Sequence, residues 1–390
     1  MANKHYIIVG AGLAGTVLAR ALVSRLPCRI TILEAKDHIG GHCYTERDPA
    51  TEVLIHKYGP HIFNTNRADV WHYVNRFARF RPFTNRVKAK IDKGIFSFPI
   101  NLHTINQFFG KAFNPPEARE FVASLADKTI GEPANFEEQA LKLVGHELYR
   151  AFFYGYTKKQ WGCEPRELPA SVLKRLPIRF NYNDTYYDKV FQGIPENGYT
   201  EMIQNILCHR KIKVALGSPF LSRSSLKLAD HLFFTGPLDA YFNFKLGRLG
   251  YRTLDFERID SLGDFQGCAV MNFPGMEVAH TRIHEHKHFA PWEQHDKTVC
   301  FREFSKETTA THLPYYPKRL AGDVELAQKY VSLAASEPAT SFLGRLGTYR
   351  YLNMDEVIAE SLDFAALFAK RVKQKKALPA FSHPGSELFA

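Results

Sequence analysis

The sequence predicts an α/β fold: a parallel, doubly wound nucleotide-binding domain, interrupted by a mainly helical domain and by an antiparallel β-sheet domain. Three observations predict it. A glycine cluster, Gly10-Ala11-Gly12-Leu13-Ala14-Gly15, follows directly on the apolar run Tyr6-Ile7-Ile8-Val9. Behind it come an apolar helix-like stretch, Thr16 to Leu26, and a second strand, Arg29 to Leu33, which ends in Glu34. Strand patterns of the same kind then return late in the chain, Ile212 to Leu216 and His231 to Pro237, with helices after them. The first domain is therefore expected to be discontinuous.

Strand, tight turn, helix, strand and acid is the setting in which Gly-x-Gly-x-x-Gly carries meaning. Gly10 permits the turn, Gly12 lets a pyrophosphate approach the backbone, and Gly15 lets helix and strand pack closely. Leu13 and Ala14 lie in that turn against the cofactor, and the free N–H groups and positive dipole of the helix that follows suit phosphate. Glu34 stands nineteen residues after Gly15, placed to accept hydrogen bonds from an adenosine ribose, with Ala35 beside it. Gly40-Gly41-His42 follows six residues after the acid. That second pair lets the chain pass close to another part of a large, stationary cofactor. By analogy with flavin enzymes this favours FAD over a dissociable NAD, in a Rossmann-like domain.

With 390 residues the chain has room for two or three domains. Apolar residues at 45% and charged residues at 23% are ordinary for a globular protein. The surplus of 51 Lys+Arg over 40 Asp+Glu gives +11, which suits anionic ligands in general. The run Lys370-Arg371-Val372-Lys373-Gln374-Lys375-Lys376 reads as a solvated helix face, with a membrane-surface role the lesser reading. No stable membrane insertion is expected, since no apolar stretch is long enough. No signal peptide is visible before the first strand. The six cysteines, Cys28, Cys43, Cys163, Cys208, Cys268 and Cys300, form no Cys-x-x-Cys pair and read as reduced thiols, so a cytoplasmic setting is expected.

Along the chain, 1–87, 200–245 and 318–390 read as the cofactor domain. Segment 100–199 reads as a mainly helical domain with a mobile substrate loop, and 88–99 with 246–317 as the antiparallel-sheet domain. Lys88 to Ile91 and Ile95 to Phe98 flank a turn at Asp92-Lys93-Gly94, a hairpin pattern. Asn135 and Glu138 have capping-box spacing, and Phe136, Ala140, Leu141, Val144, Leu148 and Phe152 keep helical spacing behind them. Pro115-Pro116 precedes another helix, Glu117 to Ala126. Strand-like segments follow at Arg252 to Ile259, Ala269 to Phe273 and Ala279 to His288, then helices at Val324 to Ala335 and Met354 to Lys370. Thr235-Gly236-Pro237 ends a strand in a glycine turn that can bring N–H groups up to a cofactor.

Between Phe152 and Tyr187 aromatics and cations crowd together: Phe152-Phe153-Tyr154-Gly155-Tyr156-Thr157-Lys158-Lys159-Gln160-Trp161, then Leu173-Lys174-Arg175-Leu176-Pro177-Ile178-Arg179 and Tyr186-Tyr187. Rings suit stacking on a base, and Arg suits bidentate phosphate binding. Taken alone the stretch reads as an aromatic core helix and a solvated basic loop. Beside a nucleotide domain it reads as a second nucleotide site. Together with Gly59-Pro60-His61-Ile62-Phe63, His280-Thr281-Arg282-Ile283, Tyr315-Tyr316-Pro317 and Gly344-Arg345-Leu346-Gly347 with Tyr349-Arg350-Tyr351, the chain resembles the UDP-galactopyranose mutases, from Ile7 to about Phe368.

The resemblance implies an isomerase, an intramolecular transferase, which interconverts UDP-galactopyranose and UDP-galactofuranose without net redox, for cell-surface polysaccharide biosynthesis. It implies reduced FAD, whose N5 acts as the nucleophile at the anomeric carbon. It implies Arg175 and Arg282 on the diphosphate, with Arg175 on a mobile loop bounded by Pro165, Pro169 and Pro177. His61 falls beside the flavin. Around the uridine it implies Phe152, Phe153, Tyr156, Thr157, Trp161 and Asn272, with Tyr156 stacked on uracil. Tyr187 or Tyr186, Tyr316 and Tyr351 offer hydroxyls to the diphosphate. Asn85 reaches the sugar. Arg345 stabilises an anionic reduced flavin, while Phe63, Gly236, Leu352, Asn353 and Met354 complete the cofactor contacts. The expected partners are a nucleotide sugar, an external reductant and a second copy in a homodimer.

Two positions depart from the family pattern: Asn64 where a His is common, and Asn353 where an Asp is common. Both leave the particular sugar open, including dTDP-linked, deoxy and N-acetylated sugars. His280, His284, His286 and His288 alternate along a predicted strand. With no ligating Cys or acid evident nearby, a partly exposed face is expected there and no metal. A disulfide reductase lacks its cysteine pair here. Amine or sterol oxidases share the glycine fingerprint but have apolar cavities, and a catalytically inert flavin module is a further rival. A nucleic-acid binder lacks its basic stripe and motif.

Overall fold

The computed structural model describes residues 4–175, 178–223 and 229–383. Strand β1 (Lys4–Val9), helix α1 (Leu13–Val23) and strand β2 (Cys28–Leu33) open the chain. A tight turn, Gly41–Cys43, leads to the short strands β3 (Thr45–Arg47), β4 (Leu54–His56) and β5 (Phe63–Thr65), helix α2 (Ala68–Asn75) and strand β6 (Phe80–Pro82). The hairpin β7 (Val87–Ile91) and β8 (Gly94–Phe98) precedes helices α3 (Leu102–Phe109), α4 (Pro115–Leu125) and α5 (Phe136–Leu148), a π-helical segment Tyr149–Tyr154, and α6 (Gly155–Trp161). Then come β9 (Phe191–Pro195), α7 (Gly198–Leu207), β10 (Ile212–Ala215), β11 (His231–Phe234) and α8 (Leu238–Tyr241). Strands β12 (Tyr251–Leu262), β13 (Val270–Asn272), β14 (Arg282–Glu285), β15 (Lys297–Glu307) and β16 (Tyr316–Pro317) follow. Helix α9 (Ala321–Ala335), strand β17 (Thr340–Phe342), helix α10 (Gly344–Gly347) and helix α11 (Met354–Lys373) finish it.

Five parallel strands in the order β10-β2-β1-β11-β17 form the nucleotide-binding sheet. Alternation along β1 sends its side chains to two cores. Tyr6 and Ile8 pack with α1 and with Phe364 and Phe368 of α11, while Ile7 and Val9 pack with Leu232, Phe234 and Tyr330 on the α9 side. Each such side chain contributes about 1.5–3 kcal/mol when fully buried. A second sheet, in the order β16-β12-β15-β14-β13-β7-β8, has seven strands. It is antiparallel throughout except where β7 lies parallel to β13, Val87 opposite Val270.

Helix α1 begins at Leu13, a turn earlier than the apolar stretch suggests, because Gly15 sits inside its first turn. The helical segment holds a strand the sequence hides. β9 pairs with β5 and β6, and its Phe-Gln-Gly-Ile-Pro composition reads as a turn. Helix α5 keeps the expected periodicity but breaks at Gly145 (φ 72°, ψ 178°), where an added Cβ would stand 2.3 Å from the Leu125 carbonyl oxygen. The strand expected through His288 ends at Glu285, and His286–Phe289 form a 3-10 turn. His284 and His286 are fully buried, so the partly exposed histidine face is not found.

Candidate active site

The cofactor cradle sits at the carboxyl edge of the parallel sheet, where glycine is required by what stands beside it. A Cβ on Gly15 would lie 2.1 Å from the Gly10 carbonyl oxygen, and one on Gly10 (φ 102°) 2.2 Å from Thr235 Oγ1. Helix α1 starts at Gly12 without a side-chain cap, so its first-turn N–H groups are left for a ligand. Gly41 closes on the same turn, its hypothetical Cβ 3.1 Å from the Gly12 Cα. Glu34 is buried, and its carboxylate accepts from the Ala11 N–H (2.8 Å) and the Lys36 N–H (3.0 Å). Ala35 beside it is exposed, and Gly236 lies two residues past the end of the strand β11. An uncapped helix N-terminus, a glycine passage and a buried acid fit the diphosphate and ribose of a dinucleotide.

A second wall faces this edge. Across β13, β14 and β15 the register places Asn272 opposite Arg282, and Arg282 opposite Glu303. Arg282 Nε donates to Glu303 Oε1 at 2.8 Å, and the carboxylate is fully buried. Burial opposes the charge on Arg282, but Glu303, with Tyr156 and Tyr316, outweighs it and raises the guanidinium pKa. Glu303 Oε2 faces His284 Nε2 at 3.6 Å, and burial followed by Arg282 holds that imidazole neutral. His61 takes the Gly59 carbonyl on Nδ1 (2.8 Å), while its N–H donates to His56 Nδ1. Burial pushes the His61 pKa down to about 4.

Tyrosines converge on Arg282. Tyr156 from α6, the pair Tyr186 and Tyr187 with centroids 5.0 Å apart, and Tyr316 all lie in its electrostatic reach. Tyr316 stacks on Tyr351 at 5.6 Å, and the Arg345 guanidinium lies 5.3 and 5.2 Å from their ring centres. Burial raises the phenols of Tyr156, Tyr186, Tyr187 and Tyr316, the last to about 12, so they stay neutral and can donate. Arg345 is fixed by the carbonyls of Leu352 and Tyr315. Asn353 and Met354 form the cap and first residue of α11, so a second helix N-terminus opens beside Arg345. His42 stacks on Tyr315 at 4.4 Å between the two walls. Asn85 is buried, its carbonyl accepts from the Tyr186 N–H at 2.8 Å, and its Oδ1 has no partner among the described residues.

One lysine ties α6 to the second wall. Lys159 Nζ donates to the carbonyls of Phe273 (2.7 Å), Gly275 (2.6 Å), Val278 (3.1 Å) and His280 (3.0 Å), the loop between Asn272 and Arg282. Burial lowers its pKa to about 8, and four acceptors require the ammonium form, present at pH 7. Lys159→Met is expected to raise KM for the nucleotide ligand roughly tenfold with flavin retained, since orphaned polar groups cost about 1–3 kcal/mol each. Steady-state kinetics beside a flavin count checks it; an unchanged KM means the loop holds without the lysine.

Not every expected residue presents its side chain here. Phe63 is fully buried among Trp71 and Phe80, and Phe152 packs against Phe96, Phe98 and Phe108. Phe153 is buried in the same core. Thr157 is buried on α6, and Trp161 is half-buried at the helix end. Arg175 ends a short helical turn, Ala170–Arg175, and its side chain lies outside the described residues. Glu303 escapes sequence reasoning, and Lys159 and Tyr315 fall inside quoted stretches without a role. Asp264, Glu285 and His288 bring ligand atoms within 4.8 Å of one another. Glu285 is already used by the N–H groups of Phe265, Gln266 and Gly267, and Asp264 by Lys287. The six cysteines are all free.

Comparison with known proteins identifies the family. Residues 151–351 match the family model of UDP-galactopyranose mutase, and residues 8–77 that of an NAD(P)-binding Rossmann-like domain. A probable UDP-galactopyranose mutase of Klebsiella pneumoniae is 52% identical over 98% of this chain and 100% of its own length. A dTDP-fucopyranose mutase of Escherichia coli is 47% identical over 94% and 99%. A crystal structure of reduced UDP-galactopyranose mutase superposes with a TM-score of 0.71 at 14% identity, covering 100% of this chain and 98% of that one, a likeness of fold.

Proposed function

The chain belongs to the UDP-galactopyranose mutase family, and on that premise we propose that it interconverts UDP-galactopyranose and UDP-galactofuranose on reduced FAD, with no net redox. The observation that carries the proposal is the Arg282 cluster, where one half-buried guanidinium fixed by the buried Glu303 has the neutral phenols of Tyr156 and Tyr316 within its electrostatic reach. Reduced flavin supplies a nucleophilic nitrogen that can displace a nucleotide from an anomeric carbon.

The chain's own groups hold the nucleotide while it leaves and returns. Arg282 takes a diphosphate oxygen on its free Nη groups, since Nε is given to Glu303. Tyr187 or Tyr186, Tyr316 and Tyr351 donate hydroxyls without adding charge. Tyr156 stacks on uracil, Asn272 holds its edge, and the unpartnered Asn85 Oδ1 accepts a sugar hydroxyl. Arg175 adds a second guanidinium as its segment closes, which excludes water and strengthens each of these contacts. Arg345 stabilises negative charge on the bound flavin. The enzyme works as a cytoplasmic homodimer supplied by an external reductant.

Two features favour a second reading, the same chemistry on a dTDP-linked deoxy sugar. One is the Escherichia coli relative. The other is the loss of charge at Asn353, which caps α11 and donates its N–H to Glu356 at 2.6 Å. The test incubates dithionite-reduced holoenzyme with UDP-galactofuranose and dTDP-fucofuranose and reads each pyranose product. Conversion of the UDP sugar with the higher kcat/KM is expected. A tenfold preference for the dTDP sugar transfers the assignment to the second reading, and no product from either removes the mutase reading.

A further inference from the structure

We propose that the face at the amino-terminal edge of the parallel sheet docks this protein on an anionic phospholipid surface, by charge and without insertion. Helices α1, α2, α7 and α11 all end there, at Ser24, Arg76, Cys208 and Gln374. Three contacts show that the cations of these ends form one surface. Arg25, Lys370 and Lys373 line one shallow depression between α1 and α11, floored by Ala366 and Ala369. Arg20 and Arg76 both lie 5.5 Å from the Phe77 ring. Arg20 Nη1 donates to the Cys208 carbonyl at 2.9 Å, two residues before the exposed Arg210.

None of these six cations has an ion pair among the described residues. The acids of α11 lie in its first half, where Asp363 pairs with Arg67 and Glu360 with Arg350. At the sheet edge Asp230, before β11, is taken by Lys4 at 2.6 Å. Cations at helix C-termini answer the helix dipole, but each terminus amounts to only about half a charge. Four termini therefore account for roughly two of the six, and the basic run continues past α11 through Lys375 and Lys376.

The geometry of the surplus points to lipid. The charges spread over four helix ends, a broad face and not a groove that tracks one strand. The depression is floored by alanine, wide enough for a phosphate and without a ring to stack on a base. Phe77 is buried beneath its two arginines. The cofactor cradle lies at the opposite edge of the same sheet, so docking leaves it open to solution.

The experiment sediments FAD-loaded full-length protein with vesicles of 30% phosphatidylglycerol, or of phosphatidylcholine alone, in 50 and 500 mM NaCl. Sedimentation with the anionic vesicles at low salt is expected, with at least a fivefold drop in bound fraction at high salt and none bound to the neutral ones. The triple variant Arg25→Glu, Lys370→Glu, Lys373→Glu is expected to stay in the supernatant with flavin content and melting temperature unchanged. Equal sedimentation of variant and parent overturns the proposal, as does binding to neutral vesicles. Gel-shift binding of a duplex oligonucleotide without vesicle binding assigns the face to nucleic acid and overturns it too.

Discussion

Arg282→Ala is expected to lower kcat/KM by about a thousandfold or more while flavin stays bound. Removing one preorganised donor from a charged transition state costs about a hundred- to a thousandfold. Here the loss is compounded, because the variant leaves the buried Glu303 carboxylate without its cation, and an uncompensated buried charge costs about 3–5 kcal/mol. The double variant Arg282→Ala, Glu303→Gln separates the two effects. It is expected to recover melting temperature but not turnover. Arg282→Lys keeps a charge yet loses the fork, so partial stability with little activity is expected. The measurements are initial rates with reduced enzyme, flavin absorbance and thermal melts. An Arg282→Ala enzyme within tenfold of the parent rate removes Arg282 from the chemistry.

Gly15→Val is expected to yield protein without flavin, or no folded protein. Its Cβ would meet the Gly10 carbonyl at 2.1 Å and Ile8 at 3.1 Å, neither of which can move without opening the β1–α1 turn. Overpacking of this kind costs about 1–3 kcal/mol, and more when the obstacle is backbone. Gly131→Ala is the control, since nothing stands within 4 Å of its Cβ. A yellow Gly15→Val protein with the parent melting temperature contradicts the close approach.

These two sites show what a sequence can and cannot carry. The glycine cradle is legible because its causes are local: a turn at Gly10 and a contact at Gly15 allow almost no other residue. Arg282 is legible through a motif. Glu303 is not, because it matters only through the β14–β15 register, which no short window contains. Lys159 reads as one more cation beside Lys158, and only the folded loop at 273–280 gives it four acceptors. Phe152 and Phe153 illustrate an ambiguity of type, since an aromatic at helical spacing serves a core or a ligand equally. The π-helical segment turns their rings toward Phe98. Strand β9 is hidden because its pairing partners lie over a hundred residues earlier, at Phe63–Thr65 and Phe80–Pro82.

The strand order of the parallel sheet governs how this chain emerges from the ribosome. β1 sits in the middle, and its neighbour β11 and the closing strand β17 are translated long after it. At about 10 residues per second the nascent chain waits roughly half a minute between β2 and β17. The β1 edge has no native partner until β11 is made, about 20 seconds after β2, and the Ile7 and Val9 face is covered only as β11 and α9 follow. Aggregation after truncation upstream of residue 340 is the expected cost of building one sheet from strands so far apart in the sequence.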